Sequence, residues 1–215
     1  MLFLCWNQHV EIEVSFKEQS KFSNASTLVN SNVVTLVTEE YILTEEEKEY
    51  YVRNPPTHVI DTISIQPVLE IPGNSSDFKE YLATNVPVKS IHWFIREKEY
   101  DFQNTFTYST NASNFQLYLD KGQYIGMPQN DTNFFKYIQP LKHGLNIPSK
   151  DVFTYSFALN PKNPQPSGVI DLSQYTSSKT FLSGRLNPVP SQLRLHMFFN
   201  TFKIIQYANG YCGLL

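Results

Sequence analysis

Cysteine and glycine are scarce in this chain of 215 residues, which contains 2 cysteines and 8 glycines. Cys5 and Cys212 lie near opposite ends and lack the close spacing of zinc ligands. A small secreted domain held together by disulfides would use more cysteines than this. We therefore expect two reduced, apolar thiols, which fits a protein that assembles in a reducing cytosol.

Charge is also limited, because charged residues make up 17% of the chain and the net charge at pH 7 is −3. No cluster of lysine and arginine forms a stripe that could follow a phosphate backbone, so we expect no direct contact with nucleic acid. The apolar run at residues 1–6 is far too short to span a bilayer. No basic segment or cleavage site accompanies it.

The sequence motifs that usually carry catalysis are missing as well. There is no Gly-x-Ser-x-Gly nucleophile motif and no glycine-rich phosphate loop before a helix. A metal enzyme built on a β-sandwich would need clustered histidines with a carboxylate. The five histidines are scattered, without a His-x-His pair: His9, His58, His92, His143 and His196. We predict that the protein is not an enzyme and holds no cofactor or metal.

Aromatic residues and prolines are abundant, with 16 Phe, 13 Tyr and 13 Pro. This mixture favours many strands joined by ordered loops. Uneven, long connections between about eight strands favour a jelly-roll β-sandwich over an up-and-down barrel. The predicted strands are 33–43, 57–71 (broken near Pro67), 89–96, 104–108, 115–119, 152–159, 169–172, 180–186 and a long one from 193 towards 205.

Short helical insertions accompany these strands. Thr44 is placed to cap a helix through Tyr51, and Glu47 is placed to complete a capping box with it. The acidic residues at 45–47 suit the start of a helix, where the helix dipole stabilises negative charge. A helical turn is predicted at 131–138, capped by Asn130.

The stretch from Val152 to Gly168 is the most informative in the chain. Alternation places Phe153, Tyr155, Phe157 and Leu159 on one face of a strand and residues 154, 156 and 158 on the other, which is typical of a strand with one face in a core. Asn160 and Pro161 end the strand, because proline cannot donate to a ladder. A stiff loop follows, with Pro164, Gln165, Pro166, Ser167 and Gly168 at its end. In the predicted strand 89–96, Ile91, Trp93 and Ile95 point inward and His92 outward.

The N-terminal region has its own pattern. Val10, Ile12, Val14 and Phe16 alternate with polar residues, which predicts a strand with one wet face. Residues 20–32 are rich in Ser, Asn and Thr and are typical of a linker.

Four segments, in this order and at about this spacing, resemble the major capsid proteins of large nucleocytoplasmic double-stranded DNA viruses. They are the strand and acidic helix of 33–51, the strand 86–95, the run 137–141 with Ile147 and Pro148, and the strand 155–159 leading into the Gln165–Gly168 turn.

The resemblance implies an all-β fold, an eight-stranded jelly-roll sandwich that forms the second half of a double jelly roll. Residues 1–19 would then be the last strand of an upstream jelly roll, 20–32 a linker, and 33–215 the C-terminal jelly-roll domain. Since the family carries a whole jelly roll upstream, we expect the chain to be a fragment of a longer product.

The resemblance also implies a structural role in the virion. Three chains would form a pseudo-hexagonal capsomer that tiles an icosahedral shell, assembled in the host cytoplasm. Partners would be further copies, neighbouring capsomers, minor capsid proteins and inner-membrane proteins of the virus. Trp93, Phe153, Tyr155, Phe157 and the 164–168 turn would supply shape, not catalysis. A transient assembly scaffold, a minor capsid protein and a carbohydrate-binding sandwich are the alternatives.

Overall fold

The computed structural model describes residues 4, 7, 11–16, 35–37, 42–99, 108, 112–120, 123–125, 131–175 and 177–214. The predicted linker at 20–32, the strand at 104–107, Cys5, His9 and the Asn130 cap lie outside these residues. The chain divides into two compact units. One takes residues 1–58 and 204–215, and the other takes residues 59–203.

In the first unit, helix α1 spans Glu45–Arg53 and begins as predicted. The Thr44 hydroxyl accepts a hydrogen bond from the Glu47 backbone N–H at 3.3 Å, and the Glu47 carboxylate accepts one from the Thr44 N–H at 2.8 Å. Hydrogen bonding from Thr44 lowers the pKa of Glu47 below its ordinary value. Both hydrogen bonds of the capping box are present, so the box is confirmed. It could be predicted from the sequence because its contacts are local and depend on a four-residue pattern.

Two strands predicted near the N-terminus are wrong for the residues that can be compared. Residues 11–16 carry no strand, and neither do 35–37 or 42–43. Ile12, Val14 and Phe16 are 65%, 54% and 69% exposed. Alternation alone does not make a strand, because each strand also needs a neighbour to satisfy its backbone groups.

Eleven strands lie in the described residues. They are β1 (Thr57–Ile65), β2 (Leu69–Ile71), β3 (Asp77–Tyr81), β4 (Pro87–Glu97), β5 (Ala112–Leu119), β6 (Gln123–Ile125), β7 (Phe153–Ser156), β8 (Ile170–Asp171), β9 (Phe181–Leu186), β10 (Leu193–Ala208) and β11 (Tyr211–Leu214). The break predicted near Pro67 separates β1 from β2.

Eight of these strands form two four-stranded paths. Sheet one runs β1-β10-β4-β7, with β2 and β11 added on β10 and β8 on β4, and sheet two runs β3-β9-β5-β6. The strands pair antiparallel, for example β4 with β10 and β5 with β9. Neighbours within a sheet are mostly distant in sequence, because the chain crosses repeatedly between the two sheets. This is jelly-roll topology, and the predicted fold class is confirmed.

The core of the second unit lies between the two sheets. Ile91, Trp93 and Ile95 of β4 are buried, as predicted, together with Met197 of β10 and Phe115 of β5. Each fully buried large apolar side chain contributes about 1.5–3 kcal/mol relative to an exposed one. The second unit therefore has a continuous apolar core that fixes the register of its strands.

One helical segment packs on this core. Residues 132–142 are helical, with π-helical geometry at Phe134–Ile138 followed by α2 at Gln139–Lys142. The predicted turn at 131–138 is thus longer than expected. The Asp131 carboxylate accepts a hydrogen bond from the Asn133 backbone N–H. Phe135 is completely buried and anchors the segment to the sandwich.

In the part of the chain that the structure describes, no helix is both long and apolar enough to cross a membrane.

Candidate functional site

An aromatic cluster forms the base of the candidate site. Trp93 of β4 lies opposite Phe153 of β7 in the sheet register, and their rings stack with centroids 6.1 Å apart. Edge-to-face contacts join Trp93 to Phe115 at 5.5 Å and to Phe135 at 5.1 Å. Such pairs contribute about 0.5–1.5 kcal/mol beyond area burial. Trp93 is completely buried, and its indole N–H has no hydrogen-bond partner among the described residues.

Tyr155 and Phe157 continue this cluster towards the surface. Their rings meet edge to face at 5.1 Å, and Tyr155 also contacts Phe135 at 6.4 Å. Both side chains are half-buried. Burial raises the pKa of the Tyr155 hydroxyl, so this phenol stays neutral at physiological pH.

The far side of β7 differs from the sequence-based prediction. The strand ends at Ser156, Leu159 is 78% exposed, and Thr154, Ser156 and Ala158 are buried. The predicted strand is therefore shorter than expected, and Leu159, which was expected on its core face, lies beyond its end and is exposed. Both faces are covered, and the buried hydroxyls have partners, such as the bond of 2.8 Å from Ser156 Oγ to the Ala158 carbonyl.

A buried polar layer lies beside Thr154. The His92 ring sits between Ser90 and Thr154, with its two nitrogens each 2.9 Å from a hydroxyl oxygen. Burial lowers the pKa of His92 to about 4, so the ring is neutral over the physiological range. His92 points away from the core as predicted, and its role here is to satisfy two strand hydroxyls.

Lys89 holds the loop that follows β7, which we call the 157–168 loop. Its side chain is completely buried and forms an ion pair with Asp61 of β1. The ammonium also donates to the Asn163 carbonyl at 2.9 Å. The Lys89 carbonyl accepts from the backbone N–H groups of Phe157 and Ala158, at 2.9 and 3.1 Å. Lys89 therefore holds the start of this loop through its backbone carbonyl and the middle of the loop through its ammonium.

Lys89 was not among the residues predicted from the sequence to be important. Its position in a strand among apolar residues was the available signal, since a lysine is almost never fully buried unless it is paired. The β4–β10 register shifts between Asn200 and Thr201, next to the Lys89 position. A bulge of this kind re-aims side chains locally. Neither the bulge nor the identity of Asp61 as partner follows from the sequence.

Further hydrogen bonds close the 157–168 loop. Ser167 Oγ accepts from the Asn160 backbone N–H at 2.8 Å and donates to the Asn160 carbonyl at 3.1 Å. The Asn200 amide donates to the carbonyl of the buried Pro161 at 3.4 Å. These contacts tie the loop to itself and to β10. The loop has a single shape because its backbone groups are bonded at several separate points.

Gly168 ends the loop at a position that excludes a side chain. Its φ is +151°, and a Cβ placed there would lie 2.8 Å from the Phe157 carbonyl oxygen. Pro164 and Gln165 are exposed, whereas Pro166, Ser167 and Gly168 are half-buried. The nine residues singled out from the sequence therefore form two groups, a buried aromatic cluster and a partly exposed turn, joined through Phe157.

The polar groups of the candidate site hold the 157–168 loop in one conformation. Across the described residues, no three His, Cys, Asp or Glu side chains are grouped so that they could hold a metal ion. The buried ion pair and hydrogen bonds are all used to hold backbone segments in place.

Comparison with known proteins identifies the family. The profile of the large eukaryotic DNA virus major capsid protein family matches residues 47–212, which is well over half of the chain. The chain belongs to this family. The resemblance seen in the sequence is therefore confirmed, and the matched region contains all of β1–β10 and most of the 45–53 helix.

Two curated relatives of this capsid-protein chain come from viruses of this kind. "Probable capsid protein 4" of Acanthamoeba polyphaga mimivirus is 23% identical over 187 residues, which cover 79% of this chain and 34% of that protein. The "Major capsid protein" of Pyramimonas orientalis virus is 22% identical over 228 residues, covering 95% of this chain and 54% of that protein. The chain thus spans about a third to a half of the length of these relatives.

Solved structures show the same fold. PBCV-1 VP54, fitted into a cryo-EM reconstruction of the virophage Sputnik, has a TM-score of 0.66 at 17% identity and covers 80% of this chain and 54% of its own. The Faustovirus major capsid protein has a TM-score of 0.63 at 12% identity, covering 77% of this chain and 36% of its own. At these identities the likeness establishes the fold of the capsid-protein chain.

Proposed function

We propose that this chain is a jelly-roll portion of a major capsid protein and that its function is to build the shell of a large DNA virus. The observation that carries the proposal is the family match over residues 47–212, which takes in the two four-stranded paths of the sandwich. Three copies of the whole polypeptide form a pseudo-hexagonal capsomer, and capsomers tile an icosahedral shell in the host cytoplasm. The role is structural and involves no catalysis.

The domain organisation is part of the proposal. Residues 1–19 complete the last strand of an upstream jelly roll, 20–32 form a linker, and 33–215 form the C-terminal jelly roll. Residues 11–16 form no strand within this chain, but Ile12, Val14 and Phe16 alternate with polar residues and are all more than half exposed, which supports a partner strand outside the chain. A run of this pattern gains stability only when its apolar side is covered by a sheet.

The candidate site supplies shape within the capsomer. Trp93, Phe153, Tyr155 and Phe157 fix β7 against the core, and the 157–168 loop is held rigidly enough to present the same surface in every copy. Preorganised loops lose little conformational entropy when they bind a neighbour. Further copies of the chain, neighbouring capsomers, minor capsid proteins and inner-membrane proteins of the virus are the partners.

Quantitative mass spectrometry of purified particles tests the proposal. Peptides from residues 153–168 should belong to the most abundant protein of mature particles, on a polypeptide with an intact mass about twice the 24.9 kDa of this chain or more. Abundance in immature particles only would favour a transient scaffold. A low copy number in mature particles would favour a minor capsid protein. Either result would overturn the major capsid assignment.

A further inference from the structure

The outer face of sheet two carries a regular array of side chains from β3, β9 and β5. Three cross-strand rows follow from the register: Asp77, Arg185 and Asn114; then Lys79, Ser183 and Gln116; then Tyr81, Phe181 and Tyr118. Between them, Phe78 and Phe115 point into the core. The face therefore changes from charged, to polar, to aromatic along the strands.

A groove of about 620 Å³ runs over the first two rows. We call it the sheet-two groove, and its size is within the range of small-ligand sites. Most of its lining side chains are polar, and Asp77, Gln116 and Arg185 are exposed. Although Asp77 and Arg185 are direct cross-strand neighbours, they are not among the ion pairs of the described residues. As far as the described part of the chain goes, both head groups are therefore available to a ligand.

The aromatic row lies at one end of the groove, where Phe181 is part of the lining. The Phe181 ring stacks on Tyr118 at 5.0 Å, and the Lys79 ammonium lies 3.8 Å from the Phe181 centroid. Tyr81 is 45% exposed and contacts Phe181 edge to face at 6.2 Å. The Lys79 ammonium also lies 4.8 Å from the Tyr81 centroid, so these contacts hold Tyr81, which lies next to the groove lining, beside a row of hydrogen-bonding groups.

The chemistry of the lining selects among ligand classes. A phosphate or nucleic-acid ligand would need clustered cations, but Asp77 lies next to Arg185 and offsets its charge. A protein hot spot would need a buried apolar or aromatic centre, and here the centre of the groove is polar. Planar amide, carboxylate and guanidinium groups beside an aromatic ring suit a ligand with many hydroxyls and an apolar C–H face.

We propose that the sheet-two groove binds a neutral oligosaccharide. Asp77, Gln116 and Arg185 would bond the sugar hydroxyls, and Tyr81 would stack on a ring face. The proposal is independent of the shell-building role, since a capsid surface that binds glycans could contact a host cell or a glycosylated neighbour without changing capsomer assembly.

Titration calorimetry of the purified full chain with gluco-, galacto-, manno- and xylo-oligosaccharides tests this proposal. At least one series should bind with a millimolar or lower dissociation constant. Arg185→Ala and Gln116→Ala should each weaken that binding roughly tenfold, because each removes hydrogen bonds to the ligand. Lys150→Ala removes one exposed positive charge outside the groove and should change the affinity by less than about twofold.

Three results would overturn the glycan assignment. The first is no binding by any series at millimolar concentration. The second is binding that is indifferent to Arg185→Ala and Gln116→Ala. The third is loss of capsomer formation in these groove variants without a change in glycan affinity, which would make the face a protein interface. Because the variants leave the core and the 157–168 loop intact, capsomer assembly reports separately on the shell-building role.

Discussion

Replacing Gly168 by alanine tests how the 157–168 loop is held. Two costs combine at this position: a φ of +151°, which L-residues rarely adopt, and a contact of 2.8 Å between the new Cβ and the Phe157 carbonyl oxygen. The contact is with backbone that Lys89 already anchors, so it cannot relax by moving a flexible side chain. Strain of about 1–3 kcal/mol from the dihedral and a further 1–2 kcal/mol from the contact give an expected loss of about 2–5 kcal/mol.

Two other glycines provide matched controls. Gly144 has a φ of +65° but nothing within 4 Å of an added Cβ, so Gly144→Ala carries the dihedral cost alone, about 1 kcal/mol. Gly213 has neither problem, and Gly213→Ala should change stability by less than about 0.5 kcal/mol. Urea denaturation of the three variants and the parent gives the free energies of unfolding. An equal loss for Gly168→Ala and Gly144→Ala would show that the contact with the Phe157 carbonyl adds no cost. A Gly168→Ala variant as stable as Gly213→Ala would show that neither the dihedral nor the contact is strained.

Three further predictions concern the sheet below the loop. His92 has a folded-state pKa of about 4 against an ordinary 6.5, so its contribution to stability is complete above pH 6.5 and falls as the pH drops towards 4, by about 3 kcal/mol in all. Chemical denaturation from pH 7 to 4 should show this slope, and His92→Gln should reduce it; an unchanged slope would contradict the burial argument. Asp61→Ala should cost about 3 kcal/mol in urea denaturation because it leaves the Lys89 ammonium without its anion, whereas Lys89→Met should cost less than about 1.5 kcal/mol. Equal losses would argue against the ion pair. Trp93→Phe should cost only about 1–2 kcal/mol, since it also removes an unbonded indole N–H, while Phe153→Ala should cost about 3–5 kcal/mol; the reverse order in the same assay would show that the indole N–H has a partner.

Local patterns predicted local structure well. The Thr44 and Glu47 capping box depends on residues three positions apart, and the alternation of Ile91, Trp93 and Ile95 placed these side chains in the core. Strand β3 was missed because its sequence, Asp-Phe-Lys-Glu-Tyr, is mostly charged. The outer face of β3 belongs to the open face of sheet two. Phe78 is therefore the single apolar residue of this strand that is buried in the core.

The parts of the candidate site that depend on tertiary structure could not be predicted. The turn at 164–168 was recognised from its residues, but the residues that fix the 157–168 loop are Asp61, Lys89 and Asn200, which lie on three different strands. Alternation predicted one core face for β7 but not the burial of Thr154 and Ser156 on the other, because periodicity does not show what covers a strand. The same limit explains residues 11–16, where a strand-like pattern occurs without a neighbouring strand in the described structure.

A cryo-EM reconstruction of the mature particle tests the central claim most directly. We expect pseudo-hexagonal capsomers with three copies of one polypeptide, in each of which a jelly roll fits the β1–β11 topology and the 157–168 loop follows the path held by Lys89. The proposed capsid role would be contradicted if particles that contain the chain had capsomers whose density fits no sandwich of this strand order.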